Sequence, residues 1–210
     1  DNHILEPRDL FETRLPAEYR DRAPRVVRGP DGGDGWSWDG GPPRRTFGIE
    51  ATAGRAVKVS GYRWEDILPG NYDGAAHLKD MMDAGVDAAV LFPSVPLQAW
   101  SMHDDPFGLV LMQTFNDWVI EDFCAPDPKR LIALPMMPVN HSMEVLLAEL
   151  ARCQKKGIRA VHLPVYPDRP YIDEWYAPFW TALEEAELPV CIHRTSGGID
   201  PLGKNIFQFN

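Results

Sequence analysis

Residues 130–165, RLIALPMMPVNHSMEVLLAELARCQKKGIRAVHLPV, decide the fold. The segment opens with LIALPMMPV and closes with IRAVHLPV, two short and continuous apolar runs that are typical of buried strands. Between them, SMEVLLAELARCQKKG has the apolar spacing of an amphipathic helix, with Ser142 as its predicted N-cap and Gly157 as its C-cap. The stretch therefore predicts a strand–helix–strand unit.

The same alternation continues on both sides of this unit. Towards the N-terminus, the periodicity predicts a helix over residues 75–85, a strand over 86–94 and a long helix over 105–125. Towards the C-terminus, it predicts a helix over 173–187 and a strand over 188–193.

Near-continuous apolar strands that alternate with helices indicate an α/β fold whose parallel sheet is covered on both faces. No Gly-rich phosphate turn follows the first strand, which disfavours a dinucleotide-binding sheet. A (β/α)8 TIM barrel fits better, and such barrels typically need about 250 residues. We therefore expect residues 1–210 to supply roughly the first five βα strands of a partial barrel, within a longer protein.

Residues 24–70 interrupt the pattern after the first strand, since they are rich in Gly, Pro, Arg and Trp. We predict an insertion that acts as a flap over a site, with a short hairpin around Trp36–Trp38 and a strand at Arg55–Val59. A disordered surface insertion is the alternative. Three tryptophans are costly to leave in water, which favours the flap.

Composition narrows the classes of partner. The chain has 21 Lys and Arg against 31 Asp and Glu, a net charge of −10 and a pI near 5.0. This balance argues against nucleic acid and anionic membranes as partners. Three cysteines in apolar segments predict reduced packing residues of a cytoplasmic protein rather than a disulfide framework.

Ligand-type residues stand at both ends of the strand series. Asp1 and His3 share one face of the first strand, because side chains alternate with a period of two, and His193 ends the last visible strand. In a barrel of this kind, strand C-termini form the active site. One carboxylate and two imidazoles suit Zn²⁺, with Mn²⁺ and Fe²⁺ as alternatives, and leave coordination positions open for catalysis.

With these residues in place, the chain resembles the amidohydrolase superfamily, in particular its aminocarboxymuconate-semialdehyde decarboxylase-like branch. The resemblance rests on DNHILEPRDLF, PGNYDGAAHLKDMMDAGVDAAVLFPS, FNDWVIEDFCAPDPKRLIALPMMPV and the strand-end His193. The family's His-x-His on strand one stands here as Asp1-x-His3, which keeps a metal ligand. Family members also use a further histidine-bearing strand and a catalytic Asp on the eighth strand; we expect that Asp to lie beyond Asn210.

The resemblance implies a metal-dependent hydrolase or carboxy-lyase (decarboxylase). In hydrolase members a metal-activated water attacks a carbonyl carbon, whereas in decarboxylase members the metal holds a substrate oxygen while CO₂ leaves. We expect a small carboxylated or aromatic substrate. Candidate residues for binding it are an aromatic wall of Trp36 and Trp64, a carboxylate clamp at Arg45, and His162, which is buried either inside the barrel or under the helices. The alternatives are a solvated loop charge for Arg45 and a hydrogen-bonded core histidine for His162.

A second hypothesis comes from another class. A fragment or degenerate barrel would act as a non-catalytic interaction module and bring no stoichiometric metal. In either case a barrel cut after its fifth strand leaves two open edges, and we expect a piece expressed alone to aggregate, remain molten or form a homodimer along them.

Overall fold

The computed structural model describes residues 2–43, 46–48, 51 and 57–193. Seven strands and five α-helices lie in these ranges. The strands are β1 (Asn2–His3), β2 (Arg25–Arg28), β3 (Asp34–Ser37), β4 (Ala89–Phe92), β5 (Leu131–Ala133), β6 (Val161–Pro164) and β7 (Val190–His193). The helices are α1 (Leu10–Arg14), α2 (Gly74–Asp83), α3 (Pro106–Trp118), α4 (Met143–Gln154) and α5 (Ala177–Glu185).

Five of the strands form one parallel series. β1 pairs with β4, β4 pairs with β5, and β6 pairs with β7, in each case parallel. A parallel bridge between Met136 and His162 joins the continuation of β5 to β6. The order β1-β4-β5-β6-β7, with one helix between successive strands from β4 onward, confirms the predicted partial barrel with five βα strands.

Local sequence sets the helix ends as predicted in most cases. The Ser142 side chain accepts a hydrogen bond from the Val145 N–H at the start of α4, and Gly157 takes φ 80° after its end. Asp105 caps α3 in the same way, by accepting from the Phe107 N–H. Such caps satisfy backbone donors that the helix itself leaves unpaired.

The predicted long helix over 105–125 differs in one detail. The α-helical part ends at Trp118, and a π-helical turn, Val119–Phe123, follows it. The turn keeps Val119 and Phe123 buried. It also brings the Phe123 carbonyl oxygen against Gly74, so close that a Cβ at that position would overlap it.

The long excursion after β1 is folded where the structure describes it. β2 and β3 form an antiparallel hairpin, and Phe47 pairs with Tyr62 in an antiparallel bridge. Residues 55 and 56 of the predicted strand Arg55–Val59 lie outside the described residues, and Val57–Val59 are not in a strand. Phe47 and Tyr62 are buried within the same hydrophobic cluster as the barrel residues.

The interior is apolar and continuous. Its largest fully buried side chains include Trp100, Tyr176, Phe11, Phe107 and Phe115. Cys124 and Cys153 are buried free thiols and Cys191 is half-buried. In the part of the chain that the structure describes, no helix is long and apolar enough to cross a membrane.

Candidate metal centre

His3 lies at the C-terminal end of β1, beside Phe92 at the end of β4. Its Nδ1 lies 2.8 Å from the Pro93 carbonyl oxygen. Because a carbonyl oxygen only accepts, Nδ1 carries the proton and Nε2 holds the lone pair. The neutral ring thus presents Nε2 as a ligand.

His193 reaches the same point from the end of β7. Its Nε2 lies 3.1 Å from Nε2 of His3, and the two ring centroids are 4.8 Å apart. Two imidazole nitrogens bound to one zinc ion, at about 2.0–2.1 Å each, can be no more than about 4.2 Å apart. The pair therefore fits two ligands of a single divalent ion.

Burial keeps both rings in the form that binds metal. It lowers the pKa of His3, although the bond to Pro93 opposes the shift, and the nearby His193 lowers it further. Burial also lowers the pKa of His193. Since a metal competes with a proton for the imidazole lone pair, a lowered pKa favours the ligand form near neutral pH.

The third predicted ligand, Asp1, lies outside the described residues. Among the residues that are described, no three His, Cys, Asp or Glu side chains are arranged to hold a metal ion. The described site thus consists of two imidazoles. Asp1 as a ligand stays a prediction.

His162 lies inside the barrel on β6, fully buried. Its ring packs edge-on against Phe92 and Trp100, with centroids 5.3 and 4.9 Å away, and its centroid is 6.2 Å from that of His193. Neither ring nitrogen has a hydrogen-bond partner in the described part of the chain. Burial lowers the pKa of His162 to about 3, so the ring is neutral.

The other predicted substrate residues fall into two groups. Trp36 and Trp64 contact each other edge-on at 6.3 Å, and Trp64 also packs on Tyr72 at 5.1 Å. Their cluster extends to Phe11, 6.2 Å from Trp36. Arg45 lies outside the described residues. The structure therefore brings the two tryptophans together, while the role of all these residues in substrate binding stays a prediction.

Two residues to which the sequence analysis gave no role at the site, His77 and Glu6, help to hold β1 and the turn beside it in place. The Asn2 side-chain amide lies 3.0 Å from Nε2 of His77, whose Nδ1 lies 2.7 Å from the Gly70 carbonyl oxygen. That carbonyl fixes the tautomer, so Asn2 donates to His77 and turns away from His3. His77, on α2, gave no signal in the sequence beyond a histidine among charged neighbours.

Glu6 is the second residue. It is 0% exposed, and its carboxylate accepts hydrogen bonds from the backbone N–H groups of Ser94 and Val95, at 3.1 and 2.9 Å. Burial raises its pKa to about 7, and these bonds oppose the rise. The sequence did contain a signal for this role, since Glu6 follows the apolar residues of the segment HILEP. A glutamate that is buried with such neighbours is expected to have a specific hydrogen-bond partner.

Comparisons with known proteins identify the family of this chain. A family model described as amidohydrolase matches residues 63–207, more than half of the 210-residue chain. The chain belongs to the amidohydrolase family. No curated protein matches the chain.

Solved structures show the same fold. An amidohydrolase from Mycobacterium avium subsp. paratuberculosis matches with TM-score 0.70 and 20% identity, over 97% of this chain and 62% of its own. A 2,6-dihydroxybenzoate decarboxylase from Rhizobium matches with TM-score 0.53 and 17% identity, over 98% and 51%. A 5-carboxyvanillate decarboxylase from Novosphingobium aromaticivorans, with bound manganese and 3-methoxy-4-hydroxy-5-nitrobenzoic acid, matches with TM-score 0.52 and 27% identity, over 69% and 44%. The chain thus spans 44–62% of the length of these structures.

Proposed function

We propose that this chain forms part of a divalent-metal enzyme that decarboxylates a small aromatic carboxylic acid or hydrolyses an ester or lactone of one. The observation that carries the proposal is the approach of His3 Nε2 to His193 Nε2, 3.1 Å apart at the ends of two parallel strands. Family membership supports it, because the matched structures include decarboxylases of hydroxylated benzoates.

In this proposal His3, His193 and Asp1 hold the ion. Zn²⁺ and Mn²⁺ both suit imidazole and carboxylate ligands, and the manganese in the Novosphingobium decarboxylase favours testing Mn²⁺ first. A bound ion supplies a Lewis acid for a substrate oxygen or a water.

The remaining predicted residues give the substrate its orientation. Trp36 and Trp64 are half-buried indoles that suit the face of an aromatic ring. Arg45 suits a carboxylate, since its guanidinium donates two parallel hydrogen bonds. His162 is fully buried, and its ring centroid lies 6.2 Å from that of His193, so it suits a contact with the substrate or with His193.

Metal content of the full-length protein tests the metal site. After incubation with Mn²⁺ or Zn²⁺ and desalting, we expect about one ion per chain by elemental analysis, and His3→Ala and His193→Ala should lose most of it. His103→Ala is the matched control, because His103 pairs with Asp168 in a loop and holds no metal in this proposal. Wild-type protein without stoichiometric metal overturns the proposal and favours the non-catalytic interaction module.

The reaction needs a second assay. Decarboxylation is followed as CO₂ release from a panel of hydroxylated benzoates, and hydrolysis as acid formed from the corresponding esters and lactones. Both assays are run with metal-loaded and with metal-stripped enzyme. We expect activity only in the loaded enzyme. Equal turnover by loaded and stripped protein contradicts the proposed role of the ion.

A further inference from the structure

The turn after β4 is fastened to the end of β1 by side chains as well as by backbone pairing. The Ile4 N–H donates to the Phe92 carbonyl at 3.0 Å, and this bond continues the β1–β4 ladder. The Ser94 hydroxyl donates to the Ile4 carbonyl at 2.8 Å. The Glu6 carboxylate then accepts from the N–H groups of Ser94 and Val95. Pro93 lies between these attachments.

Pro93 is the residue that this turn presents to the metal centre. It has no N–H of its own, so it is held through its neighbours. Its carbonyl oxygen accepts from Nδ1 of His3 at 2.8 Å. The position of that oxygen therefore depends on where the Ser94–Val95 backbone is held.

A carboxylate in this place is costly for stability alone. Glu6 is fully buried, and in the described part of the chain no Lys or Arg forms an ion pair with it. Buried charges without a counter-charge are unfavourable, and replacing them with apolar groups often stabilises a protein. The Ser94 N–H donates to Oε1 and the Val95 N–H donates to Oε2, and a carboxylate is a side chain that offers two acceptor oxygens.

We propose that Glu6 is a positioning residue for the metal centre, and this rests on the proposed function. Its carboxylate holds the backbone of Ser94 and Val95 so that the Pro93 carbonyl keeps the proton of His3 on Nδ1. The lone pair of His3 Nε2 then points towards His193. Partners of metal-ligating imidazoles typically contribute 10–100-fold to metal affinity.

The test uses two substitutions that separate position from charge. Glu6→Gln has the same length, but it offers one acceptor oxygen and turns an amide NH₂ towards a backbone donor. Glu6→Asp keeps the charge but is one methylene shorter. We expect both variants of the full-length protein to bind Mn²⁺ 10–100-fold more weakly by titration calorimetry, because both displace the turn.

A spectroscopic measurement reads the tautomer directly. In metal-free protein with ¹⁵N-labelled histidine, we expect the wild-type His3 ring to carry its proton on Nδ1, and both Glu6 variants to show a mixture of tautomers. Glu149→Gln is the control for lost stability, since Glu149 is also a buried carboxylate but accepts from Asn116 and Arg152. It should lower the melting temperature and leave Mn²⁺ affinity unchanged.

The outcomes are distinct. Wild-type Mn²⁺ affinity in Glu6→Asp overturns the inference, because a charge alone then explains any loss in Glu6→Gln. An unchanged His3 tautomer in both variants overturns it as well. If His3→Ala binds Mn²⁺ as tightly as wild type, the proposed metal site itself is wrong. Should Glu6→Gln fail to fold, Glu6→Asp alone decides by the same two readouts.

Discussion

Replacing Asn116 by alanine tests what joins the two halves of the parallel sheet. Asn116 is fully buried on α3, and its side chain makes three hydrogen bonds. Its Oδ1 accepts from the Met136 N–H at 2.7 Å, and its Nδ2 donates to the Met136 carbonyl at 3.0 Å and to the Glu149 carboxylate at 2.7 Å. Met136 in turn pairs with His162 across the junction between β5 and β6.

The expected cost follows from counting these groups. Each hydrogen bond contributes about 1 kcal/mol net, and a buried group left without a partner costs about 1–3 kcal/mol. Asn116→Ala leaves the Met136 N–H and carbonyl unpaired and removes one partner of Glu149. We expect the free energy of unfolding to fall by about 3–5 kcal/mol, which corresponds to a melting temperature roughly 10 °C lower for a protein of this size.

Denaturant unfolding followed by circular dichroism measures the loss. Gln113→Ala is the matched control, because Gln113 donates a single bond to the other oxygen of Glu149, at 3.0 Å. It should cost about 1 kcal/mol. Hydrogen exchange in Asn116→Ala should rise first at His162 and Met137, whose amides cross the junction. An Asn116→Ala protein within about 1 kcal/mol of wild type would falsify this account.

Three further predictions follow from other parts of the molecule. Gly74→Ala should destabilise severely, by about 3 kcal/mol or more in denaturant unfolding, because its Cβ would overlap the Phe123 carbonyl oxygen; a cost below about 1 kcal/mol is contrary to this packing. Burial raises the pKa of Glu6 from 4.5 in the unfolded chain to about 7, so the free energy of unfolding should fall by roughly 3 kcal/mol as the pH rises from below 4.5 to 7. The difference between the wild-type and Glu6→Gln unfolding free energies, measured against pH, isolates this effect, and a difference that does not change with pH contradicts it. A thiol reagent should label half-buried Cys191 before Cys124, whose thiol pKa burial raises to about 12, and mass spectrometry of early time points showing the reverse order refutes that assignment.

Much of the fold was predictable because local signals and tertiary packing agree. The Ser142 cap, the apolar face of α4 and the Gly157 stop all point to one helix, and the structure confirms it. Strand bounds were less predictable. The apolar run 130–139 contains only three residues of regular strand, Leu131–Ala133, because Pro135 and Pro138 cannot donate to a ladder.

At the site, the sequence indicated residue types but not partners. Their positions at strand ends predicted that His3 and His193 lie at the same end of the sheet, and the structure brings them together. Nothing in a single sequence links Asn116 to Met136, or Glu6 to a turn 88 residues away. Such bonds depend on which helix packs on which strand, and apolar periodicity does not determine that pairing.

Side-chain hydrogen bonds, rather than strand pairing, have to position the ligands of the proposed metal centre. β1 is two residues long and pairs with β4 at only two positions. In the described part of the chain it also lies at an edge of the sheet, where backbone pairing holds it on one side only. A metal ligand displaced by about 1 Å loses much of its function.

The bond from Asn2 to His77 fixes one face of β1, and the bond from His3 to Pro93 fixes the other. The proposed site is therefore positioned by the turn after β4 and by α2 as much as by β1 itself. For this reason we expect substitutions at Glu6 and His77, neither of them a proposed ligand, to weaken Mn²⁺ binding measured by titration calorimetry.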